Sequence, residues 1–202
     1  MNAACTEQTE EVEPQSFYWL VMADTHVIDE YYEGPEGSAY DSETILRANE
    51  RLEESRKAVN ELSLPLDFGV VVGDVIHDYP SSDYSFYQDP QNRPAIDIAR
   101  ESFSRFDFPV YLGLGNHDYD VPRVSHDFTH RLFKEKFDIE PYYSWDHMGW
   151  RFIHLNSQLG NTWNPEHEDY AKSLGSLGEQ QLLWLDEQLS ANKPSFVFVH
   201  HH

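Results

Sequence analysis

Six short apolar runs recur along the chain, each rich in aromatic or β-branched residues and each bounded by polar or turn-forming residues. Runs of this length and composition are typical of buried strands. The predicted strands lie at residues 17–23, 68–72, 109–114, 142–145, 150–155 and 196–199. Only a short polar segment separates the fourth and fifth runs, which predicts a hairpin.

The longer segments between the strands carry apolar residues at helical spacing. We expect the first helix to begin at a cap on Asp41 or Ser42 and to end before Pro65. Further helices are predicted at residues 96–106, 128–137 and 177–189, the last with an apolar side formed by Leu182, Leu183, Leu185 and Leu189. Because strands and helices alternate, the sequence predicts an α/β protein with a single domain over residues 17–202.

The strongly negative charge of the chain limits the kinds of molecule that it is expected to bind. Fourteen Lys and Arg residues stand against 36 Asp and Glu, giving a formal net charge of −22. Such a surface repels a polyphosphate backbone, so general nucleic-acid binding is not expected. A small phosphorylated substrate remains compatible if bound cations supply positive charge at the site. No stretch approaches the roughly 20 apolar residues of a membrane-spanning helix, so no transmembrane segment is expected.

Residues 1–16 are polar and are predicted to form a disordered or tethering tail. The tail contains Cys5, the single cysteine, so an internal disulfide is excluded. Cys5 is followed by an acidic spacer, which resembles the start of a mature bacterial lipoprotein after removal of its signal. This favours an extracytoplasmic over a cytoplasmic location. The alternative is an incidental cysteine in a tail.

Side chains suited to metal binding follow four of the predicted strands. Asp24 and His26 follow the first, Asp74 the second, Asn116 the third and His200 the last. In open α/β sheets, ligand sites gather at the carboxyl ends of strands, so these side chains are expected to converge. Carboxylate, imidazole and amide oxygen together suit Mn, Fe, Zn or Co better than a thiolate-seeking metal.

These residues fall into ordered motifs that resemble the calcineurin-like metallophosphoesterase superfamily. Its members carry D-x-H, G-D, G-N-H-[DE], a later strand-end histidine and a final G-H-x-H. The chain has Asp24-Thr25-His26, Gly73-Asp74, Gly115-Asn116-His117-Asp118 and His200 in that order. Residues 178–185 also resemble the family's Q-x-x-W-L helix, and the resemblance runs from about residue 17 to the last residue.

The resemblance implies a four-layer α/β/β/α sandwich with two mixed sheets. The final G-H-x-H block has no counterpart in this sequence, so the domain is expected to be incomplete at its C-terminus. A fragment of a longer protein is favoured over a terminal His200 to His202 tag or a natural truncated product.

The resemblance also implies roles. Asp24 and His26 would bind a first metal ion, Asp74 would bridge two ions, and Asn116 and His200 would bind the second. The two divalent or mixed-valence ions (Mn, Fe, Zn or Co) would lie ~3.5–4 Å apart and carry the attacking hydroxide. His117 would stabilise the transition state or protonate the leaving oxygen, with Asp118 orienting its ring.

The predicted function is hydrolysis of phosphomonoesters or phosphodiesters, nearest in overall pattern to the cyclic-nucleotide and glycerophosphodiester phosphodiesterases. The alternative is a truncated, catalytically impaired metal-binding or interaction domain. A carboxylate-only glycosidase is disfavoured, because it needs no histidine cluster. His77, Tyr79 and Tyr119 are candidate substrate-binding residues. The remaining histidines are expected at the surface or hydrogen-bonded in the core, namely His126, His130, His147, His154 and His167.

Overall fold

A computed structural model describes residues 16–35, 38, 41 and 43–201. All six predicted strands are present within these ranges. They are β1 (Tyr18–Met22), β2 (Leu66–Val71), β3 (Val110–Leu112), β4 (Tyr143–His147), β5 (Trp150–His154) and β6 (Ser195–Phe198). The predicted tail lies outside the described residues except for its last one, and Cys5 lies outside them too.

The strands form two three-stranded sheets. In the first sheet β2 lies between β1 and β3 and is parallel to both. In the second sheet β5 pairs antiparallel with β4, as the hairpin prediction requires, and parallel with β6. The first sheet is therefore all-parallel, and its three carboxyl ends meet at one edge.

Four α-helices lie in the described ranges and connect the strands: α1 (Ala48–Asn60), α2 (Ala95–Phe103), α3 (His126–Phe137) and α4 (Glu179–Ser190). The first helix begins later than predicted, because residues 45–47 form a separate 3₁₀ turn before it. Ser42, one of its predicted caps, lies outside the described residues. Two further 3₁₀ turns, Tyr84–Tyr87 and Asn161–Trp163, lie in segments for which the sequence predicts neither helix nor strand.

Two apolar cores hold the layers together. One lies between the first sheet and helices α1 to α3, with Leu52, Ala99 and Leu132 packed among the side chains of the sheet. The other lies between the two sheets and is mainly aromatic. Phe68 of β2 and Phe152 of β5 pack across it at a ring-centroid distance of 5.0 Å.

Helix α4 covers the outer face of the second sheet through polar contacts. Ser144 Oγ of β4 donates to Gln188 Oε1 at 2.9 Å, and Arg151 Nη1 of β5 donates to the Gln188 carbonyl at 3.0 Å. The order helices, sheet, sheet, helix is the α/β/β/α arrangement that the sequence predicts. None of the described helices is both long and apolar enough to cross a membrane.

The predicted apolar side of α4 is wrong. Leu182, Leu183 and Leu189 are exposed by 52, 64 and 46%. The residue that α4 buries is Gln181, whose side chain accepts from Asn156 N at 2.7 Å and donates to Asn156 O at 2.8 Å. The helix is therefore anchored by a polar side chain at the end of β5, and three of its four leucines face outward while Leu185 is half-buried.

Candidate metal centre

The loops after β1 and β2 run side by side and are joined by backbone hydrogen bonds. Asp24 N donates to Gly73 O at 3.1 Å, and His26 N donates to Asp74 O at 2.9 Å. Asp24, His26 and Asp74 all have left-handed backbone conformations, with φ of +55°, +43° and +53°. Such conformations are uncommon outside glycine, and here they turn three potential metal ligands toward one another.

Glycine allows the loop after β3 to approach the loop after β2. Gly73 has φ of +125°, and a Cβ there would lie 2.8 Å from the backbone N of Gly115. A Cβ on Gly115 would in turn collide with the Asp74 carboxylate. Both positions therefore require glycine, because a side chain at either would push the loops apart.

Asp74 lies at the middle of the candidate centre. Its Oδ2 is 3.6 Å from His26 Nε2 on one side and 3.4 Å from His200 Nε2 on the other. Its Oδ1 accepts from His117 N at 2.8 Å. The carboxyl group is buried, with 2% of the residue exposed. One carboxylate thus faces imidazoles from two separate strand ends.

The remaining predicted ligands lie next to the two histidines that flank Asp74. Asp24 Oδ1 lies 3.8 Å from His26 Nε2, and Asn116 Oδ1 lies 3.0 Å from His200 Nε2. The structure therefore brings Asp24, His26, Asp74, Asn116 and His200 together from four strand ends. Asp24, His26 and Asp74 each offer a ligand atom, and these atoms lie within 4.8 Å of one another.

The electrostatics of the centre follow from burial and from the Asp74 carboxylate. Burial lowers the pKa of His26, with Asp74 opposing the shift. Burial also opposes ionisation of Asp74, but the hydrogen bond and charge of His200 outweigh it, so the pKa of Asp74 is lowered. Burial lowers the pKa of His200, but the hydrogen bond and charge of Asp74 outweigh burial, so the pKa of His200 is raised.

The donor set tests whether a metal fits. A buried carboxylate, two imidazoles, a second carboxylate and an amide oxygen surround one region, and left-handed backbone holds three of them in place. Hard and borderline oxygen and nitrogen donors of this kind suit Mn, Fe, Zn or Co. The residues present therefore fit divalent metal ions.

His117 and His77 lie beside the centre with their rings stacked, at a centroid distance of 4.4 Å and an interplanar angle of 20°. His117 Nδ1 is 2.9 Å from the carbonyl oxygen of His77, and His77 Nδ1 is 3.2 Å from His26 Nδ1. His77 thus contacts both a predicted ligand and the predicted catalytic histidine. The sequence indicated His77 only as a candidate substrate-binding residue, and its spacing gave no sign of this double contact.

Asp118 faces backbone rather than the His117 ring. Its carboxylate accepts from Gly115 N at 2.8 Å, Ile76 N at 3.0 Å and Val75 N at 3.2 Å. The side chain is fully buried, and burial, with the charge of Asp74 next, raises the pKa of Asp118. These contacts tie the loops after β2 and β3 together, while the contact to the His117 ring comes from the carbonyl of His77.

The two candidate tyrosines lie in the interior. Tyr79 is 2% exposed, and its hydroxyl donates to the Asp118 carbonyl at 2.7 Å. The Tyr119 hydroxyl accepts from Asn156 Nδ2 at 2.6 Å and lies 2.8 Å from His130 Nε2. Tyr119 nevertheless lines a cavity next to the centre, which Tyr79 does not.

Two cavities flank the candidate ligands. One of about 490 Å³ borders Asp24 and His26, and its wall includes Ile45 and Leu52. The other, of about 290 Å³, borders Asn116 and His117. Its wall includes Trp163 and Lys172, which sequence reasoning did not connect with the site.

An α/β sandwich with carboxylate, imidazole and amide side chains gathered at its strand ends is an arrangement typical of metal-dependent hydrolases. In agreement, residues 19–202 match the family described as calcineurin-like phosphoesterase. Because this match covers most of the chain, the chain belongs to that family, whose general activity is metal-dependent hydrolysis of phosphoesters. A search of curated proteins finds no match to the chain.

Proposed function

We propose that the chain carries the centre of a phosphoesterase that hydrolyses phosphomonoesters or phosphodiesters with two metal ions. The observation that carries the proposal is the position of Asp74, whose Oδ2 faces His26 and His200 at 3.6 and 3.4 Å. A carboxylate between two sets of ligands suits a bridge between two cations. Two cations would also let a small anionic substrate approach a chain with a net charge of −22.

The residues divide into two ligand sets around that bridge. Asp24 and His26 would hold one ion, and Asn116 and His200 would hold the other. Bound ions of this kind lower the pKa of a coordinated water and neutralise charge on the phosphoryl oxygens. The chain itself contributes the spacing of the ligands, which the backbone contacts between the strand-end loops keep fixed.

His117 supports the chemistry from the side of the Asn116 ligand. Its backbone N–H holds Asp74 Oδ1, and its Nδ1 is positioned to donate to the His77 carbonyl at 2.9 Å. With Nδ1 carrying that proton, Nε2 is the ring nitrogen left to interact with the substrate. Nε2 then carries a proton only in the imidazolium form, and in that form it can stabilise a phosphoryl oxygen or protonate the leaving oxygen.

The test measures metal content and turnover in the same samples. Purified protein is loaded with Mn²⁺, its metal content is measured by mass spectrometry, and hydrolysis of bis(p-nitrophenyl) phosphate and p-nitrophenyl phosphate is followed. We expect two ions per chain and turnover of at least one of the esters. Asp74→Asn should lower the metal content and abolish metal-dependent turnover, whereas Asp186→Asn, the same change on the exposed face of α4, should alter neither.

Equal activity in the wild type and in Asp74→Asn would refute the site assignment. Metal binding without turnover of any ester would refute the enzymatic function and favour the impaired metal-binding domain. The relative rates on the two esters separate a phosphodiesterase from a phosphomonoesterase.

A further inference from the structure

The cavity beside Asn116 and His117 has a composition that the metal centre does not explain. Its volume of about 290 Å³ is near the lower end of the range for small-molecule pockets, so it can accept a compact organic group. Two largely buried aromatic residues, Trp163 and Tyr119, and the exposed Lys172 are among the residues that line it. A pocket next to the reacting phosphate that combines rings and a cation suits an organic group bearing a negative charge.

The segment that carries Lys172 is held in place on both sides. Ala171 N donates to Thr162 O at 2.9 Å, and the Leu174 carbonyl accepts from Trp163 Nε1 at 2.9 Å. Tyr170 Oη donates to the Val121 carbonyl at 3.2 Å. The backbone of Lys172 is thereby fixed against the 3₁₀ turn that also supplies Trp163, so its side chain starts from a defined point at the mouth of the cavity.

The ammonium group of Lys172 forms no ion pair with a described residue. Among the described residues, no carboxylate lies within ion-pair distance of its Nζ, although the chain has many more acidic than basic residues. The two acidic residues of the same cavity are engaged elsewhere. Asp120 forms an ion pair with Arg123 Nε, and Asp78 Oδ1 lies 3.5 Å from Arg123 Nη2. Within the described part of the chain, a ligand at Lys172 would therefore not have to displace a carboxylate partner.

We propose that Lys172 and the cavity beside His117 form an anion subsite that selects phosphoesters whose leaving group carries a second negative charge, a carboxylate or a phosphate. This inference rests on the proposed function, since it takes the scissile phosphate to bind at the metal centre. It adds a substrate class to that function: compact organic phosphates with a second anionic group within reach of Lys172.

Non-hydrolysable analogues test the subsite without relying on turnover. Binding of phenylphosphonate and 4-carboxyphenylphosphonate to the Mn²⁺-loaded protein is measured by calorimetry at low ionic strength. The two ligands differ only in one carboxylate. We expect the carboxylated ligand to bind about fivefold more tightly, as for a partly exposed ion pair. The preference should decline as added salt screens the pair.

Variants locate the preference at Lys172. Lys172→Gln should remove it, Lys172→Glu should reverse it and Lys172→Arg should retain it. Lys193→Gln makes the same change in net charge on the second sheet, where Lys193 pairs with Asp146, and should leave the preference unchanged. A preference that survives Lys172→Gln, or wild-type protein that binds both ligands equally, would overturn the proposal.

Failure of the subsite and failure of the enzyme are distinguishable. If both phosphonates bind with the expected preference but phenyl phosphate, 4-carboxyphenyl phosphate and their methyl diesters are not hydrolysed, the subsite stands and the proposed function falls. If the esters are hydrolysed without a carboxylate preference, the function stands and the subsite falls. If neither phosphonate binds, the subsite is refuted.

Discussion

At the scale of the residue, the centre depends on backbone conformations that most side chains avoid. Asp24, His26 and Asp74 adopt left-handed conformations, which cost on the order of 1 kcal/mol or more each. They persist because the loops after β1 and β2 are joined by backbone hydrogen bonds and because Asp118 gathers three N–H groups beneath them. The strained backbone turns the candidate ligand side chains into one region.

Removal of the His77 side chain should weaken metal binding although His77 is not one of the proposed ligands. Its Nδ1 lies 3.2 Å from Nδ1 of His26, so it can fix the orientation of that ring and leave Nε2 directed at Asp74. Contacts that orient a ligand typically contribute about tenfold or more to metal affinity. We therefore expect His77→Ala to lower Mn²⁺ affinity by about tenfold in a chelator competition. His167→Ala, in a loop away from His26, is the control, and an unchanged affinity in His77→Ala would contradict the assigned contact.

Replacing Asp118 should affect the stability of the fold more than the orientation of the His117 ring. An amide at this position places an NH₂ group where the carboxylate accepts from Gly115, Ile76 and Val75 N–H groups. A buried donor left unpaired costs about 1–3 kcal/mol. Asp118→Asn is therefore expected to lower the free energy of unfolding in urea by about 2 kcal/mol or more. If stability is unchanged while the activity of the protein falls, Asp118 instead orients His117.

At the scale of the element, contacts far apart in sequence decide what each helix or strand buries. The parallel order of β1, β2 and β3 is what aligns three carboxyl ends at one edge. Helix α4, in contrast, packs by hydrogen bonds of Gln181 and Gln188 and leaves Leu182, Leu183 and Leu189 exposed. Its hydrophobic pattern alone predicts the opposite orientation. The pattern shows which residues of the helix are apolar, but it does not show whether the surface against which the helix packs is apolar or polar.

Exchanging polarity on α4 tests this orientation. Gln181→Leu keeps the size of the side chain but leaves Asn156 N and Asn156 O without their partners, so we expect the free energy of unfolding to fall by about 2–3 kcal/mol. Leu183→Gln, on the exposed side, is expected to change it by less than about 0.5 kcal/mol. Urea unfolding of both variants is the measurement. The reverse order of effects would mean that the leucines face the core.

His154 makes the core between the sheets sensitive to pH. The residue is 1% exposed, and neither ring nitrogen makes a hydrogen bond of normal geometry to the described residues, contrary to the sequence expectation for this histidine, although the Tyr111 backbone lies close enough to oppose the lowering of its pKa. Burial lowers the pKa of His154 to about 4. Below its usual pKa of 6.5 the unfolded chain takes up a proton that the folded chain excludes until about pH 4, so folding loses stability as the pH falls through that window.

The corresponding measurement compares the wild type with His154→Leu between pH 7 and pH 4. The free energy of unfolding of the wild type should fall relative to the variant by up to about 1.4 kcal/mol per pH unit, with the loss beginning near pH 6.5. His167→Leu, in an exposed loop, serves as the control. A constant difference between wild type and His154→Leu over this range would show that His154 is not held neutral.

At the scale of the whole molecule, the two sheets and their helices set an acidic surface around a metal-binding edge. The net charge of −22 disfavours anions in general, so positive charge near the scissile phosphate must be local. Metal ions held by the candidate ligands on four strand ends would supply it on one side, and in our proposal Lys172 supplies it on the other. Neither the candidate ligand cluster nor the cavity exists until β1, β2, β3, β6 and the loop after β5 are brought to the same edge.

The sequence by itself determined the strands, the α/β class and the candidate ligand residues. Short apolar runs predict the strands, and the residues that follow them, Asp24, Asp74 and Asn116, predict the chemistry of the strand ends. These residues form one candidate site because parallel strands bring their carboxyl ends to the same edge. The order of the motifs sufficed to identify the family, which the match over residues 19–202 confirmed.

Only the tertiary structure decided which partner each polar side chain meets. Asp118 follows His117 directly in sequence, yet it bonds to backbone N–H groups across the loops. Gln181 is buried while its leucine neighbours are exposed, and Lys172 comes from a distant loop to the cavity beside His117. These contacts depend on how the layers pack and on which hydrogen-bonding groups burial leaves unpaired, and local spacing in the sequence specifies neither.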